Sequence, residues 1–246
     1  MAAAGKTRID HLLVERGLAD SRERAQALIL AGSVMVNGQK ATKPGHTVAA
    51  DADVAVTERM PYVSRGGFKL AGALDHWKID VVQKICLDVG ASTGGFTDCL
   101  LQRGAAKVWA IDVGHGQLDW KLRNDPRVVV REGLNARELP PAGFPEQFDL
   151  AVCDASFIST TLLIPAMAPL LAAHGEMVVL IKPQFEVERG QVGKGGIVRD
   201  PELHRAACAR VRSAVEARGF ETDIIESPIL GAEGNREFLL HARRHS

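Results

Sequence analysis

The sequence lacks the features of a disulfide-bonded, metal-binding or membrane-spanning protein. Its four cysteines form no CxxC pair and are dispersed through apolar segments, which indicates reduced core thiols and argues against a zinc site. The longest apolar stretch, residues 162–173, is too short to cross a bilayer and contains two prolines. The charges of Lys6 and Arg8 interrupt the N-terminal segment, so it lacks the apolar stretch that a signal peptide requires. We therefore expect a cytoplasmic protein that binds neither a metal nor a membrane.

The chain also has no net charge, so its bulk electrostatics does not indicate a nucleic-acid partner. The first 70 residues carry a slight excess of Lys and Arg, and the remainder carries the balancing acidic excess. A prediction of RNA binding must therefore rest on motifs. The length of 246 residues is enough for a sizeable core and fits a large domain with a second, small one.

The first 59 residues have the pattern of a small α+β domain. Two short amphipathic helices are predicted to end at Gly17 and Gly32, and Asn37-Gly38 predicts a hairpin turn. A closing strand is predicted over residues 54–56. Basic side chains along this segment are candidate RNA contacts, although an ordinary solvated surface explains them equally well. These candidates are Arg8, Arg22, Arg24, Lys40 and Lys43.

An extended segment around Pro61 separates this domain from the rest, because proline cannot donate to a sheet and biases Met60 away from a helix. We assign residues 1–59 to the small domain, 60–63 to a linker and 64–246 to a large domain.

The large domain alternates strands with helices, the pattern of a βαβ sheet. Strands are predicted near 84–89, 107–112, 127–131, 148–154, 176–181, 222–227 and 236–241. Helices are predicted from residue 64 to 77 and over 94–103, 116–123, 159–172 and 201–218. Residues 183–199 are predicted to form a long functional or mobile loop. Their GQVGKGG run lacks the Ser or Thr of a Walker motif, which excludes a nucleotide triphosphatase.

Two of the predicted strands end in opposite charges, Asp154 and Lys182. The residues before them are continuously apolar, as in parallel strands buried on both faces, and such sheets bind ligands at the carboxyl ends of their strands. Charges there are costly unless they are paired or used, so both residues are candidates for catalysis. The alternative for Lys182 is a lysine that merely reaches solvent.

A glycine-rich turn, LDVGASTGGF over residues 87–96, follows the first strand of the large domain. It lets the backbone approach a nucleotide, and Asp112 at the end of the next strand is placed to hold ribose hydroxyls. The glycine spacing is wider than in GxGxxG, which favours S-adenosylmethionine (SAM) over NAD. Asn135 is placed at an adenine edge, or caps a turn. The predicted cofactor contacts are Gly90, Ala91, Ser92, Thr93, Gly94, Gly95, Phe96, Asp112, Asn135 and Asp154.

The segment that begins at Asp154, Asp-Ala-Ser-Phe, lies where amino-group methyltransferases have a D/N-P-P-Y/F box for a flat base, but both prolines are missing. Methylation of a hydroxyl has a different requirement, because the hydroxyl proton must leave as the carbon–oxygen bond forms. Lys182 can accept that proton or stabilise the developing alkoxide. The residues alone do not choose between these roles.

Seven colinear motifs occur along the large domain, and the match to a known family that rests on them covers nearly the whole chain. They are SRGGFKL (64–70), LDVGASTGGF (87–96), AIDVGHGQL (110–118), CDASFIS (153–159), LIKPQFE (180–186), GKGGIVRD (193–200) and GNREF (234–238). Together they resemble the TlyA family, hemolysin-A-like ribosomal RNA ribose 2′-O-methyltransferases with an FtsJ-type catalytic domain and an S-four-like RNA-binding domain. The resemblance implies a Rossmann-like α/β sheet of seven strands, mostly parallel with the last strand antiparallel, SAM as cofactor, and ribosomal RNA in ribosomal subunits as partner.

The resemblance also implies a catalytic Lys-Asp-Lys-Glu tetrad, in which Lys182 is central, Asp154 is its partner, and the other two members orient the ribose. The tetrad is Lys69, Asp154, Lys182 and Glu237. Without the resemblance, Lys69 and Glu237 would be interpreted as solvated charges. Further RNA contacts are predicted near the site at Arg65, Arg189, Lys194 and Arg199.

The substrate that the resemblance implies is a cytidine ribose in small-subunit and, in some members, large-subunit ribosomal RNA. Two alternatives stay open. The first is a base N-methyltransferase, which the missing prolines oppose, and the second is a non-catalytic RNA-binding or ribosome-assembly factor, which the intact tetrad opposes. Hemolytic activity is not expected, because the sequence has no strong basic amphipathic helix.

Overall fold

The computed structural model describes residues 5–30, 32–56, 60–231 and 233–244. The chain folds as two compact units whose boundary lies between Pro61 and Tyr62. Within the described ranges, no helix is long and apolar enough to span a membrane.

The first unit is a small α+β domain, as its pattern predicts. Its elements are β1 (Lys6–Arg8), α1 (Ile9–Glu15), α2 (Arg22–Leu30), β2 (Val34–Val36), β3 (Gln39–Lys40), β4 (Thr47–Ala49) and β5 (Val54–Val56). Strand β2 pairs with β3 and β5, and the hairpin turns at Asn37 and Gly38, which both have positive φ as the predicted tight turn requires. Sequence patterns missed the pairing of β1 with β4, because three-residue strands carry too little alternation.

The second unit is built on one seven-stranded sheet. Its strands are β6 (Ile85–Val89), β7 (Lys107–Asp112), β8 (Val128–Glu132), β9 (Phe148–Cys153), β10 (Leu171–Ile181), β11 (Phe220–Glu226) and β12 (Phe238–Arg244). Their order is β11-β12-β10-β9-β6-β7-β8. Neighbours from β10 to β8 are parallel, whereas β12 runs antiparallel between β10 and β11. The predicted sheet, with its last strand antiparallel, is confirmed.

Helices cover both faces of this sheet. They are α3 (Gly66–Trp77), α4 (Gly95–Gln102), α5 (Trp120–Arg123), α6 (Ile164–Met167), α7 (Pro183–Glu186) and α8 (Pro201–Glu216). Alternate strand residues face opposite layers: Val152 packs in the cluster with α3 and α4, whereas Cys153 packs in the cluster with α6 and α8. The apolar strands are therefore buried on both faces, as predicted.

Three of the cysteines, Cys86, Cys99 and Cys153, are buried core thiols as predicted, and Cys208 is half-buried. All four are free. Burial raises the pKa of Cys86 and Cys153 to about 12, so both are neutral thiols at physiological pH.

Two of the predicted helices are longer than the helices that the structure has in their place. Residues 159–172 form a 3-10 turn (Thr160–Leu162), α6, a second 3-10 turn (Ala168–Leu170) and the start of β10, because Pro165 and Pro169 remove the amide donors that a continuous helix needs. The predicted helix over 116–123 begins only after Asp119, whose carboxylate accepts the backbone N–H of Lys121.

Short 3-10 turns complete the unit. They are Ala136–Glu138, Pro141–Gly143, Arg189–Gln191 and Lys194–Gly196. The last two, together with α7, give partial structure to the segment 183–199 that was predicted as one long loop.

Candidate functional site

The parallel strands β9 and β10 bring Asp154 and Lys182 together at their carboxyl ends, as the sequence predicts. The Lys182 Nζ lies 2.6 Å from the Asp154 Oδ1, and the side chains are 10% and 20% exposed, respectively. The Lys182 ammonium also donates to the Ser156 Oγ at 2.7 Å. A lysine ammonium has three donors, so one remains for a bound group.

A second buried pair joins the first turn of α3 to the segment just before β12. The Lys69 Nζ donates to the Glu237 Oε2 at 2.5 Å, and the two side chains are only 10% and 3% exposed. The structure thus assembles the four predicted tetrad residues as two lysine–carboxylate pairs. Both lysines line one small cavity of about 220 Å³, together with Asp154 and Ser156.

The glycine turn forms the floor of this small cavity and of a larger one beside it. The larger cavity measures about 640 Å³, within the usual size of a ligand pocket. Both cavities share Gly90, Ser92, Asp154 and Ser156 in their walls, so a ligand in the larger one reaches toward the lysines. Of the turn residues predicted to touch the cofactor, Gly94 lies instead against hydrophobic side chains of the α5 region.

Gly90 shows why this turn needs glycine. Its φ is +81°, and a Cβ placed there would lie 3.0 Å from the Cα of Ala155. The backbone therefore approaches the segment after β9 more closely than a side chain allows, and it leaves open space for a ligand on the other side.

Asp112 and Asn135 both lie in the wall of the larger cavity, as predicted. The Asp112 carboxylate accepts the backbone N–H groups of Ser92 at 2.8 Å and Gly114 at 2.7 Å, so it also fixes the glycine turn. Two carboxylate oxygens have about four acceptor positions, which leaves capacity for a ribose hydroxyl. Asn135 accepts the backbone N–H of Arg137 at 3.1 Å, so the alternative role of a turn cap is also realised.

Sequence analysis missed a third carboxylate near this turn. Asp88 in β6 is fully buried, and its Oδ2 accepts the Thr97 hydroxyl at 2.6 Å. Burial raises the pKa of Asp88 to about 7; the Thr97 hydrogen bond opposes the rise, and the nearby Asp154 charge adds to it. A single polar residue within an apolar strand was the only signal in the sequence, and its meaning depends on the complete burial of the carboxylate.

Two further residues lie within the motifs CDASFIS and LIKPQFE but were given no role from the sequence. Ser156 is the hydroxyl partner of Lys182, and Glu186, at the end of α7, is 3% exposed and accepts hydrogen bonds from Ser159 and Thr160. Their signal was position alone: a hydroxyl two residues after a strand-end carboxylate, and a carboxylate one helical turn after a strand-end lysine.

Of the basic residues predicted near the site, one lines the small cavity and three lie on an exposed segment. Arg65 lines the small cavity, and its guanidinium donates to the backbone oxygen of Leu230 at 3.2 Å. Arg189, Lys194 and Arg199 are exposed on the segment between α7 and α8.

In the first unit, Arg8 and Arg22 are paired with one buried carboxylate. The Arg8 guanidinium donates to both oxygens of Asp10, at 2.9 and 2.8 Å, and the Arg22 Nε donates at 3.1 Å. These hydrogen bonds hold the pKa of Asp10 well below its usual range, and the largest effect comes from Arg8. Both arginines therefore also support the fold. Arg24, Lys40 and Lys43 are exposed.

The site is polar and holds two fixed ammonium groups. Two lysines face a small cavity, each balanced by one carboxylate, and a glycine turn lines the cavity between them. In the ranges that the structure describes, no three His, Cys, Asp or Glu side chains are grouped to hold a metal ion. Fixed ammonium groups of this kind stabilise negative charge that develops on an oxygen.

Known proteins share both units. A model of the family described as FtsJ-like methyltransferase matches residues 62–244, and a model of the S4 domain matches residues 7–54. The chain is 48% identical over 243 residues to the 16S/23S rRNA (cytidine-2'-O)-methyltransferase TlyA of Mycobacterium tuberculosis, and the match covers 98% of this chain and 91% of that protein. It is 47% identical over 236 residues to Hemolysin A of Brachyspira hyodysenteriae, with 95% and 98% covered. A solved structure of a candidate hemolysin from Streptococcus thermophilus is 42% identical, with a TM-score of 0.74, and the match covers 99% of this chain and 90% of that one.

Proposed function

Because this chain belongs to the FtsJ-like methyltransferase family and carries an S4 domain, we propose that it methylates the ribose 2′-hydroxyl of cytidine in ribosomal RNA. Two facts support this substrate: the name of the M. tuberculosis relative specifies it, and the match to that relative covers 98% of the chain. The observation that carries the proposal is the two buried lysine–carboxylate pairs, whose lysines line the small cavity beside the glycine turn.

The residues of the larger cavity fit SAM. Gly90 leaves space at the turn, Asp112 retains acceptor capacity for the ribose hydroxyls, and Asn135 lies in the same wall. When bound, SAM supplies an electrophilic methyl group on a sulfonium. We assign Gly90 to Phe96 as the turn that holds it, with Gly94 shaping that turn from behind.

Lys182 acts on the accepting hydroxyl in this proposal. Its position beside Asp154 and Ser156 fixes the Nζ at the small cavity, where one N–H remains for the ribose oxygen. As this oxygen bonds to the methyl carbon, the bond from that carbon to the sulfonium sulfur would break and leave a neutral thioether. The hydroxyl proton leaves either to Lys182 as a neutral amine or to solvent, and in the second case the Lys182 ammonium stabilises the oxygen. Asp154 and Ser156 hold Lys182 in place for both routes.

Lys69 and Glu237 orient the ribose in this proposal. Lys69 lines the same small cavity, and Glu237 lies behind it and fixes the direction of its ammonium. The Lys69 ammonium is placed to donate a hydrogen bond to the sugar. This bond would raise the rate because it aligns the hydroxyl with the methyl group.

The first unit and the exposed basic residues supply RNA binding. We propose that residues 1–59 form the RNA-binding domain, 60–63 a linker and 64–246 the methyltransferase domain. Phosphate and 2′-hydroxyl contacts from the basic side chains position the RNA. The ring of Phe157 is 91% exposed at the wall of the larger cavity, which suits stacking on a base that has left its helix. Because ribosomal RNA is the proposed substrate, we propose that the protein acts in the cytoplasm.

The product of the reaction tests the proposal. Purified protein is incubated with isotopically labelled SAM and with small subunits, large subunits or their free RNA, and the labelled nucleosides are then identified by mass spectrometry. We expect the label on 2′-O-methylcytidine. Label on a base would replace this function with base methylation, and no transfer to any of these substrates would support a binding role alone.

A further inference from the structure

The segment that joins β9 to the Thr160–Leu162 turn has no regular structure, yet it carries two groups at the small and large cavities. Ser156 accepts a hydrogen bond from the Lys182 ammonium, and Phe157 presents a ring that is 91% exposed. Phe157 has a φ of +65°, in the left-handed region that bulky side chains avoid. Such strained residues persist only where the surrounding structure holds them.

Glu186 holds the far end of this segment. Its Oε2 accepts the Ser159 hydroxyl at 2.5 Å, and its Oε1 accepts both the backbone N–H and the hydroxyl of Thr160, at 2.7 and 2.8 Å. Glu186 and Thr160 are 3% and 2% exposed, so these bonds are made away from water. All three donors are neutral, and a buried carboxylate needs such donors to offset its loss of hydration.

Glu186 is itself fixed. It ends the short helix α7, one turn after Lys182, and its backbone oxygen accepts a hydrogen bond from Arg210 on α8 at 2.9 Å. At the near end of the segment, the Asp154 backbone N–H donates to the Val89 oxygen at 3.1 Å. The residues between these anchors are therefore held from both ends.

We propose that Glu186 is a positioning residue that holds Ser156 and Phe157 in place for the transfer step. It ties the segment after β9 to the helix that follows Lys182, so that Ser156 stays on the ammonium and the Phe157 ring stays 5.3 Å from that of Phe185. The role in transfer rests on the proposed function; the role in ordering the segment does not. Glu186 touches neither substrate nor cofactor in this assignment.

Four substitutions test this role. Glu186→Gln keeps the volume but places an amide N–H₂ where an acceptor is needed, and Thr160→Val keeps the shape but removes the hydroxyl donor. We expect kcat for methyl transfer to fall about 10- to 100-fold in both, because displacements of about 1 Å have effects of this size. Thr160→Ser keeps the donor and should retain a kcat close to wild type. Glu188→Gln makes the same change of charge at an exposed position two residues on and should leave kcat unchanged.

Two measurements separate positioning from a general loss of structure. The dissociation constant for SAM should stay within about threefold of wild type in each variant, so that the loss lies in kcat. Hydrogen exchange of the backbone amides of residues 155–160, measured without RNA or cofactor, should be faster in Glu186→Gln and Thr160→Val than in the other two variants. Hydrogen exchange tests the contacts of Glu186 even if the wild-type protein transfers no methyl group. Such a lack of transfer would contradict the proposed function alone.

Three results would overturn the assignment. The first is wild-type kcat in both Glu186→Gln and Thr160→Val. The second is unchanged exchange over residues 155–160 in both. The third is a loss of SAM affinity that matches the loss of kcat, which would show that the carboxylate supports the cofactor site or the fold as a whole. If Glu186→Gln fails to fold, Thr160→Val decides, since it removes one hydrogen bond only.

Discussion

The site depends on charges that are buried in pairs. Lys69 and Glu237 are 10% and 3% exposed and lie 2.5 Å apart, so each offsets the electrostatic cost of burying the other. Lys182 is equally buried but has two partners, the Asp154 carboxylate and the Ser156 hydroxyl. The two lysines are therefore unequal: Lys69 has one partner and two remaining donors, whereas Lys182 has two partners and one remaining donor.

The buried pair gives a prediction about stability. Lys69→Met leaves the Glu237 carboxylate without its ammonium and should lower the free energy of unfolding by about 3 to 5 kcal/mol, the usual effect of breaking a buried pair. Lys69→Met with Glu237→Gln removes both charges and should recover most of that loss without restoring methyl transfer. Urea denaturation and transfer assays measure the two effects. A double variant as unstable as the single one would show that the pair does not offset its own burial.

Sequence reasoning reached only some of these residues. Asp154 and Lys182 were predicted because each ends an apolar strand, and a strand end fixes its position in a parallel sheet. Lys69 and Glu237 were found only through family resemblance, because a charge on a helix start or a late strand is normally solvated. Asp88 and Glu186 were missed, since their roles depend on burial that comes from residues far away in sequence.

At the scale of elements, the turn after β6 connects the two cavities. A Cβ added at Gly90 would lie 3.0 Å from the Cα of Ala155 in the segment after β9. A side chain at Gly90 would push apart two segments that line both cavities.

Gly90→Ala should therefore weaken SAM binding about tenfold or more, because the contact with Ala155 displaces the turn that lines the larger cavity. A left-handed alanine also lowers stability by roughly 1–2 kcal/mol, and this cost is shared by the control. Gly219→Ala is the matched control, because Gly219 has the same φ of +81° but no atom within 4 Å of its Cβ position. It should lower stability and leave SAM affinity unchanged. Calorimetric titration with SAM compares them, and equal losses of affinity in both variants would contradict this role of Gly90.

The elements themselves were predictable to different degrees. The central strands β6, β7 and β9 were predicted well, because burial on both faces makes most of each an apolar run. The helix predicted over 159–172 is too long. The prediction followed the apolar pattern and did not allow for Pro165 and Pro169, which interrupt a helix. Strands β1 and β4 gave no signal, since their pairing depends on contacts between residues about 40 positions apart.

At the scale of the whole molecule, the two units have separate tasks in the proposed function. The cofactor cavities and both lysine pairs lie within the second unit. In the first unit, Arg8 and Arg22 support the fold through Asp10, so the exposed Arg24 and Lys43 are better tests of RNA binding.

Arg24→Glu with Lys43→Glu should weaken binding to ribosomal RNA and reduce the slope of log affinity against log salt by roughly one for each phosphate that the variant no longer neutralises. SAM affinity should not change. Arg218→Glu, an exposed reversal just after α8, is the control and should change neither quantity. Binding of the double variant at wild-type strength over the whole salt range would remove these residues from the RNA surface.

The most direct test of the account is a single-turnover transfer assay with Lys182→Ala. The substitution removes the ammonium that the proposed function places at the accepting hydroxyl but leaves the glycine turn and Asp112 in place. We predict that the rate of methyl transfer to ribosomal RNA falls about 10²- to 10⁴-fold, while the dissociation constant for SAM stays within about threefold of wild type. Lys78→Ala, at an exposed lysine outside the site, should transfer at the wild-type rate. Transfer by Lys182→Ala at the wild-type rate, or a loss of SAM binding that accounts for its inactivity, would contradict the assignment of Lys182 as the group that acts on the hydroxyl.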